Sequence, residues 1–302
     1  MADKRTLRSK GEQLQAILDE LQREQQVKEI SGWETGFTNL SRALDGVLPG
    51  LYLLIGRPGS GKSAFAKQLL DQLAMHNSVP GIFFSFTESE KELRIKTLAR
   101  LSGVENREIR RGSAYLLHWY GVPKAQFQAT NRLPPSWDKL KAAAQEAKPW
   151  LDLIYLVHCE PESHWRRIED QIEEIRTATN NPSLVAVVDD CQRLDVRSNG
   201  GLDQRLRVIA EGIQEAALRL QIPILVVWPD LGGGPELPPE AWSERVPNVD
   251  VTMVLQTDSE RTKKLTPPNQ ALTLHIVKNR GGETGKLAFD LSPAFARFAE
   301  AE

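Results

Sequence analysis

The stretch LYLLIGRPGSGKSAFAKQLL, from Leu51 to Leu70, gives the clearest indication of the fold in this sequence. It is typical of an apolar strand, a tight turn rich in glycine, and a helix whose first turn carries Lys62 and Ser63. The pattern G-x-x-x-x-G-K-[ST] is matched by the turn Gly56-Arg57-Pro58-Gly59-Ser60-Gly61-Lys62-Ser63. Because a strand precedes this turn and a helix follows it, the match is much more specific than its letters alone.

This pattern predicts a site for nucleotide phosphates. The glycines allow backbone N–H groups to converge on phosphate oxygens, and the N-terminus of the following helix adds its positive end. The ammonium of Lys62 is predicted to reach the β and γ phosphates, and the hydroxyl of Ser63 to bind Mg²⁺. We therefore expect the chain to bind ATP together with Mg²⁺.

Composition is that of a folded globular protein. The 302 residues are 40% apolar and 26% charged, which leaves little room for a mostly disordered chain. A formal net charge of −2 offers no overall positive field to nucleic acid, although a ring can confine positive charge to its channel. There is no run of about 18 apolar residues and no export signal, so we expect a cytoplasmic protein that does not span a membrane. The two cysteines, Cys159 and Cys191, lack metal-ligand spacing, and neither a zinc site nor a disulfide framework is expected.

Apolar runs alternate with helical patterns along most of the chain. The first five runs are LYLLIG, GIFFSF, LDLIYLVH, LVAVVDD and PILVVW, and several are almost continuously apolar. Such runs predict a parallel sheet covered by helices on both faces, so the predicted class is α/β, doubly wound. The last three runs, VTMVLQ, ALTLHIVKN and KLAFDL, lack long helices between them and predict antiparallel edge strands.

The chain is expected to have two parts, an N-terminal amphipathic helix or linker over residues 1–31 and one large domain over residues 32–302. A helix is predicted from about Lys10 to Ile30, with an apolar stripe of Leu14, Ile17, Leu18 and Leu21. This stripe could pack on its own domain or on a neighbouring subunit. Two irregular regions, Gly112 to Trp150 and WPDLGGGPELPPEAW, interrupt the alternation of strands and helices.

Binding of Mg²⁺ and hydrolysis of ATP each require a carboxylate near the phosphates. A magnesium site requires an acid at the end of a neighbouring strand, and SLVAVVDDCQRL supplies Asp189, with Asp190 as a cap or a supporting partner. Hydrolysis also requires a group that orients or deprotonates water. The segment FFSFTESEKEL offers Glu88 and Glu90. Glu90 fits the start of a helix, where acids are favourable, so Glu88 is the predicted catalytic acid.

Five segments, in this order, resemble the RecA-like ATPase domain of DnaB-type replicative helicases. They are ETGFTNLSRALDGVLPGLYLLIGRPGSGKSAFA, GIFFSFTESEKELRIKTLARLSGVENREIRRG, VVDDCQRL, LQIPILVV and LTLHIVKNRGGETGKLAFDLSPAFARF, and together they extend roughly from Gly32 to Phe298. The resemblance implies a RecA-like, doubly wound, mostly parallel sheet with antiparallel edge strands, preceded by a linker helix.

The resemblance also implies roles for particular residues. It assigns nucleotide and magnesium contacts to Lys62, Ser63, Asp189 and Gln192. It matches Lys278 and Arg280 to a pair that reaches the ATP of a neighbouring subunit, with Arg280 as the arginine finger. The alternative is that Lys278 and Arg280 only extend from an edge strand into solvent.

The sequence departs from the family pattern at two places. Thr87 stands where the family has its catalytic glutamate, and Glu88 follows one residue later. On a strand, a shift of one residue turns a side chain to the other face, which would slow hydrolysis. The sensor strand ends in Trp228-Pro229, where the family has a serine and a glutamine.

DNA contacts are expected in the loop LDVRSNGGLDQRLR, at the position of the family's first DNA loop. Its candidates for binding DNA phosphates are Arg197, Arg205 and Arg207. The second such loop, LGGGPELPPEAW, carries more acids than bases. Arginines where a loop meets a helix are often merely solvated, so both interpretations stay open.

The function expected from these features is ATP hydrolysis by a DnaB-like helicase-family protein in DNA replication. It would work on single-stranded DNA as a ring-shaped homo-oligomer, with a hexamer as the expected size. The alternative is an ATP-binding regulatory or scaffold protein of the same fold, with weak hydrolysis and no unwinding. A recombinase-like filament fits the opening and closing motifs less well.

Overall fold

A computed structural model provides the structure of the chain. It describes residues 14, 15, 17–19, 30–112, 136–160, 165–195, 201–230, 237–246 and 248–301. Strands within these ranges are β1 (Gly50–Gly56), β2 (Gly81–Ser85), β3 (Ile154–His158), β4 (Val185–Asp189), β5 (Pro223–Pro229), β6 (Val251–Thr257), β7 (Gln270–Asn279), β8 (Gly285–Ser292) and β9 (Arg297–Glu300). Helices are α1 (Thr38–Leu44), α2 (Lys62–Asn77), α3 (Glu90–Ser102), α4 (Asn106–Arg111), α5 (Ser136–Leu151), α6 (Trp165–Thr179), α7 (Leu202–Leu220), α8 (Ala241–Arg245) and α9 (Ser259–Thr262).

These strands form one sheet in the order β3-β2-β4-β5-β1-β6-β7-β8-β9. From β3 to β6 the neighbours are parallel, and from β6 to β9 they are antiparallel. The prediction of a doubly wound, mostly parallel sheet with antiparallel edge strands is therefore confirmed. We call the side of the sheet at which the parallel strands end the carboxyl edge, and the side at which they begin the amino edge. These two sides run across the strand ends and are distinct from the outermost, or edge, strands.

Both faces of the sheet are buried along the central strands β1, β2, β4 and β5, as their almost continuously apolar runs predict, whereas β3 is half-buried. Along β1, Leu51, Leu53 and Ile55 belong to one apolar cluster, whereas Tyr52 and Leu54 belong to the other. The first cluster includes side chains of α6 and α7, and the second includes side chains of α1, α2 and α3. Alternate residues of a strand point to opposite faces, so a central strand covered on both sides must be apolar throughout.

Helix boundaries differ from the predicted ones by a few residues. The start of α3 at Glu90 follows from a capping box, because the Ser89 hydroxyl accepts from the N–H of Glu92 while the Glu92 carboxylate accepts from the N–H of Ser89. The strand predicted for the run LDLIYLVH begins only at Ile154, because helix α5 continues to Leu151. Helix α7, which the sequence pattern predicts from about Gln204 to Leu220, begins at Leu202.

Part of the predicted N-terminal helix lies outside the described residues, including Leu21. Residues 14, 15 and 17–19 are helical, and the side chains of Leu14, Ile17 and Leu18 are exposed. From Ser31 the chain is bonded to the domain, since the N–H groups of Ser31 and Gly32 both donate to Asp45. Within the described ranges, every helix is too short or too polar to cross a bilayer. Cys159 and Cys191 are both free and buried.

An aromatic cluster supports the start of α2. The Phe65 ring stacks on Phe37 at 5.6 Å between centroids and meets Phe289 and Phe298 edge-on at 5.5 and 5.2 Å. These rings come from the segment before α1, from α2, from β8 and from β9. Offset and edge-on aromatic pairs add about 0.5–1.5 kcal/mol each to the area they bury. The cluster therefore fixes the direction in which α2 leaves the glycine turn.

Candidate nucleotide-binding site

The glycine turn joins β1 to α2 at the carboxyl edge of the sheet. Gly59 and Gly61 have φ values of 84° and 87°, in the left-handed region that favours glycine. A Cβ atom on Gly61 would also lie 3.0 Å from side-chain carbons of both Leu291 and Phe298. A Cβ on Gly56 would lie 2.6 Å from the backbone oxygen of Leu255. These glycines are required partly by backbone conformation and partly by the strands packed against the turn.

The turn presents backbone donors at the start of α2. The N-cap residue of α2 is Gly61, which has no side chain to accept from the first-turn N–H groups. Ser60 is buried, and its hydroxyl makes no hydrogen bond with any part of the chain that the structure describes. Arg57, Pro58 and Gly59 form the exposed rim. A turn of this form at the N-terminus of a 16-residue helix can accept a phosphate group.

Lys62 is buried within the turn. Its side chain is folded over the loop, and Nζ donates to the carbonyl oxygen of Arg57 at 2.8 Å. Burial lowers the pKa of Lys62, whereas the negative charges of Asp189, Asp190 and Asp230 oppose that shift. The ammonium is therefore bonded to the glycine turn and lies within the electrostatic influence of three carboxylates.

Asp189 and Ser63 lie together below the turn. Asp189 is the last residue of β4 and is 2% exposed, and the Ser63 hydroxyl donates a hydrogen bond to its carboxylate. Burial raises the pKa of Asp189 to about 6, with the charges of Glu88 and Asp190 raising it further and the Ser63 bond lowering it. Among the described residues, Oδ2 of Asp189 has no hydrogen-bond partner.

This pair fits a divalent cation. A buried carboxylate oxygen without a hydrogen-bond partner lies beside a hydroxyl oxygen. Mg²⁺ is a hard cation that prefers oxygen ligands of these kinds. No group of three or more His, Cys, Asp or Glu side chains in the described ranges could hold a metal by itself. Mg²⁺ commonly uses only one or two protein ligands, with the rest from substrate phosphates and water, so two protein oxygens suffice.

Gln192 reaches this site through Asp190. Its Nε2 donates to Oδ2 of Asp190 at 2.9 Å, and Arg193 lies 3.6 Å from the same oxygen. Asp190 in turn acts on Lys62 through its charge. Gln192, predicted as a nucleotide contact, is thus held in place by an acid of the site.

Glu88 lies beyond the end of β2. The strand ends at Ser85, whose hydroxyl accepts from the N–H of Glu88 at 2.9 Å. The charge of Glu88 also acts on Asp189. The strand alternation that would turn Glu88 to the wrong face therefore does not apply, because the chain has already left the strand. The Glu88 carboxylate is bound by Nζ of Lys96, at 2.5 and 2.6 Å from its two oxygens.

Glu90, the alternative acid, is placed differently. It is the first residue of α3 and forms an exposed ion pair with Arg94 at 2.9 Å. A pair spaced by four residues on a helix surface is an ordinary local interaction. Of the two glutamates, it is Glu88 whose charge acts on the Ser63–Asp189 pair.

Asp230 is a further acid near the turn that was not predicted from the sequence. It follows β5 directly, is 8% exposed, and donates its N–H to the carbonyl oxygen of Gly56 at 2.8 Å. Its charge acts on Lys62. Trp228, where the family has a sensor residue, packs instead into the apolar core. Its position directly after a predicted strand was visible in the sequence, but only the pairing of β5 with β1 in the structure places that strand end beside the glycine turn.

Lys278 and Arg280 lie far from this site within one chain. They are at the end of β7, which is antiparallel to β6, so they lie at the amino edge of the sheet. The backbone N–H of Arg280 donates to Asp250, which neighbours Leu51 near the start of β1. The six residue steps from Gly50 to Gly56 span about 20 Å at about 3.3 Å per residue. The structure therefore does not bring Arg280 together with Lys62 of the same subunit.

Of the three arginines predicted to bind DNA, Arg197 lies outside the described residues. Arg205 is half-buried, and its Nη2 donates to the carbonyl oxygen of Leu194 at 2.6 Å. Arg207 is exposed, and its Nε donates to the carbonyl oxygen of Arg245 at 2.9 Å. Arg205 ties the segment after β4 to α7, and Arg207 is the more accessible of the two.

Comparisons with known proteins agree with this geometry. Residues 32–228 match the family described as "DnaB-like helicase C terminal domain". The chain is 30% identical over 121 residues to the replicative DNA helicase DnaB of Haemophilus influenzae, covering 37% of this chain and 26% of that protein. It is 23% identical over 288 residues to the DnaB protein of Leifsonia xyli subsp. xyli, covering 90% of this chain and 56% of that protein. The chain thus spans about half or less of the length of these two curated relatives.

Solved structures have the same fold. One whose title describes it as an ATPase domain superposes with a TM-score of 0.76 at 18% identity, covering 97% of this chain and 99% of that one. A second, titled "The Structure Of A DnaB-Like Replicative Helicase And Its Interactions With Primase", gives a TM-score of 0.75 at 16% identity, covering 97% and 69%. These likenesses show that the fold is RecA-like. With the match over residues 32–228, they lead to one assignment: the chain belongs to the DnaB-like helicase C-terminal domain family.

Proposed function

We propose that this chain binds ATP with Mg²⁺ and hydrolyses it as a DnaB-like helicase-family protein, in a ring-shaped homo-oligomer that acts on single-stranded DNA. The observation that carries the proposal is the convergence of Lys62 and the Ser63–Asp189 pair on the glycine turn. Residues 32–302 form the ATPase domain in this proposal, and residues 1–31 a linker helix. We expect the assembly to be a cytoplasmic hexamer.

The chain's own groups suit phosphate binding. Backbone N–H groups of the turn would bind the phosphates, and the Lys62 ammonium would exchange the Arg57 carbonyl for a phosphate oxygen. Ser63 and Asp189 would hold Mg²⁺, which supplies neutralising charge at the β and γ phosphates when bound. Glu88 would orient the attacking water and accept its proton.

Hydrolysis would depend on two subunits. The glycine turn and Arg280 lie at opposite edges of the sheet, so a site containing both requires the carboxyl edge of one subunit to face the amino edge of the next. Such head-to-tail contacts form rings when the rotation between subunits closes. Arg280 supplied in trans would stabilise charge that develops on the transferred phosphate, as arginine fingers do.

Action on DNA is supported by the names of the relatives, which are replicative DNA helicases. Arg207 is exposed, and with Arg197 and Arg205 it would meet DNA phosphates in the channel of the ring. Contacts of this kind do not depend on base sequence, as unwinding along any DNA requires.

A regulatory or scaffold protein is the second candidate, and two observations favour it. Lys96 binds both oxygens of the Glu88 carboxylate. The group proposed to act on water is therefore already held in an ion pair. The sensor strand ends in Trp228 and Pro229, so the side-chain amide of the family's glutamine has no counterpart here, and the ring of Trp228 is buried. Such a protein would bind ATP tightly but hydrolyse it slowly.

An ATPase assay with and without single-stranded DNA, on an oligomer of measured mass, separates the two candidates. For the helicase-family function we expect single-stranded DNA to stimulate hydrolysis well above the rate measured without DNA. A Lys62→Ala variant is the control and should lose ATP binding. A slow rate that DNA does not change would favour the regulatory protein, and unchanged affinity in Lys62→Ala would refute the site.

A further inference from the structure

Asp250 lies between β1, α7 and the end of β7, just before β6. Its carboxylate accepts two hydrogen bonds on Oδ2, from the N–H of Leu51 at 3.0 Å and from Nε2 of Gln214 at 3.1 Å. Its own N–H donates to the carbonyl oxygen of Leu51 at 3.1 Å. The Asp250 side chain is 13% exposed. Both its backbone and its carboxylate are therefore fixed to the start of β1.

The neighbouring backbone leaves space for this carboxylate. A Cβ atom on Gly50 would lie 2.8 Å from Oδ2 of Asp250, closer than side-chain carbons approach in practice. Residue 50 must therefore be a glycine while the carboxylate occupies its position. The backbone at the amino edge of the sheet is therefore shaped around the Asp250 carboxylate.

The other carboxylate oxygen binds Arg280. Oδ1 of Asp250 accepts from Nη1 of Arg280 at 2.9 Å, and the backbone oxygen of Asp250 accepts from the Arg280 N–H at 3.0 Å. The Arg280 side chain is nevertheless 73% exposed. A guanidinium has five N–H donors in a rigid fork, so one bond to Asp250 orients the group and leaves donors for a phosphate.

Other acids lie near this pair without taking the same role. A cavity of about 240 Å³ is lined by Glu211, Glu215, Asp250, Lys278 and Arg280. Burial lowers the pKa of Lys278, and the charge of Asp250 opposes that shift. Among the described residues, Asp250 is the carboxylate that bonds Arg280 directly. Glu215 therefore serves as a matched control, because it carries the same charge in the same cavity.

We propose that Asp250 is a positioning residue for Arg280, which it holds at the amino edge so that the free guanidinium donors meet the nucleotide of a neighbouring subunit. The proposal rests on the proposed function, since it requires Arg280 to act in trans. A restraining role for Asp250 fits the geometry less well, because a single bond at Nη1 leaves the exposed donors free.

Mixed oligomers test this directly. Donor subunits carry Lys62→Ala, so they hydrolyse no ATP but keep Arg280, and acceptor subunits carry Arg280→Ala with an intact glycine turn. Mixing should restore hydrolysis wherever a donor faces an acceptor. Donors that also carry Asp250→Asn should restore a kcat about tenfold lower than donors carrying Glu215→Gln, consistent with the loss of a charged hydrogen bond. The KM for ATP should be unchanged, because the acceptor binds it.

Other results of this experiment would contradict either the positioning role of Asp250 or the action of Arg280 in trans. Equal restored rates for the Asp250→Asn and Glu215→Gln donors, or faster rates for Asp250→Asn, would overturn the positioning role. Full activity of unmixed Arg280→Ala oligomers would instead overturn the action of Arg280 in trans, on which this proposal rests, while leaving the proposed hydrolysis of ATP in place. If Asp250→Asn prevents assembly, Gln214→Ala donors replace it, since they keep the carboxylate but remove one of its fixed partners. An unchanged rate with those donors would then contradict the proposal.

Discussion

At the scale of single residues, Glu88 shows how local bonding compensates for a shifted sequence position. The catalytic glutamate of the family pattern is replaced by Thr87, which is exposed. Glu88 is bonded to Ser85 through its backbone and acts on Asp189 through its charge. Because Glu88 follows the strand and does not lie on it, it stays the acid that we propose to act on water.

Substitution of Glu88 by glutamine should slow hydrolysis about 100-fold, because general-base catalysis contributes about 10²–10⁴-fold. Glu90→Gln is the control and should stay within about twofold, since Glu90 is an exposed residue paired with Arg94. Steady-state ATPase rates on assembled protein measure both. The reverse order would move the catalytic acid to Glu90.

The two cysteine thiols offer a test of burial that depends on pH. Burial raises the pKa of Cys159 to about 11 and that of Cys191 well above its usual value of 9.0. Because these pKa values are raised on folding, the associated stability is fully present below pH 9.0 and is lost as the pH rises through about 11. At pH 8 we expect both thiols to react slowly with an aromatic disulfide reagent and rapidly after denaturation. Immediate reaction of the native protein would contradict the burial of the thiols.

At the scale of elements, helices α2 and α3 are joined by a buried cluster of charges. Asp71 of α2 pairs with Lys67 and with Arg100 of α3, and it accepts from Thr97 of α3 at 2.8 Å. Nζ of Lys67 donates to the Thr97 hydroxyl at 2.8 Å. The helix that follows the glycine turn is thereby tied to the helix that carries Lys96, the partner of Glu88.

Asp71→Asn should destabilise the fold by about 3–5 kcal/mol, because it leaves two buried cations without their charged partner. Asp290→Asn is the control. Its ion pair with Arg261 is partly exposed, so the expected loss is about 1 kcal/mol or less. Urea unfolding midpoints of the two variants measure the difference. Equal midpoints would mean that the cluster contributes no more than a surface pair.

At the scale of the whole molecule, the sheet separates the two halves of the proposed catalytic site. Lys62 and Asp189 lie at its carboxyl edge, whereas Lys278 and Arg280 lie at its amino edge. If Arg280 acts in trans as proposed, a single chain has no complete site when it is alone.

The rate of ATP hydrolysis per subunit should therefore rise with protein concentration until the oligomer is fully assembled. Arg280→Ala should lower the plateau about 10³-fold, within the range given by arginine fingers, while Lys286→Ala, which removes an exposed cation from β8, should leave it unchanged. Assays across a dilution series, with mass measured at each concentration, test this. A rate per subunit that is constant on dilution would show that one chain is sufficient.

Much of the fold follows from patterns within short stretches of the chain. Apolar runs of strand length, the glycine turn and the late runs without helices predicted the mostly parallel sheet and its antiparallel edge, and the structure has both. Helix boundaries were less accurate, because caps and packing decide where helices such as α5 and α7 begin and end.

The contacts that shape the candidate site could not be derived in this way. The charge of Asp230 acts on Lys62, Lys96 binds Glu88, and Arg280 binds Asp250, and in each case the two residues come from different parts of the chain. Strand order decides which strand ends are neighbours, and residue spacing along the chain does not contain that order. The glycine turn and the α/β class could be predicted from sequence patterns alone, since both depend on local stretches of the chain. The tertiary structure alone decided which charges face that turn and on which edge Arg280 lies, because these depend on how distant strands are placed side by side.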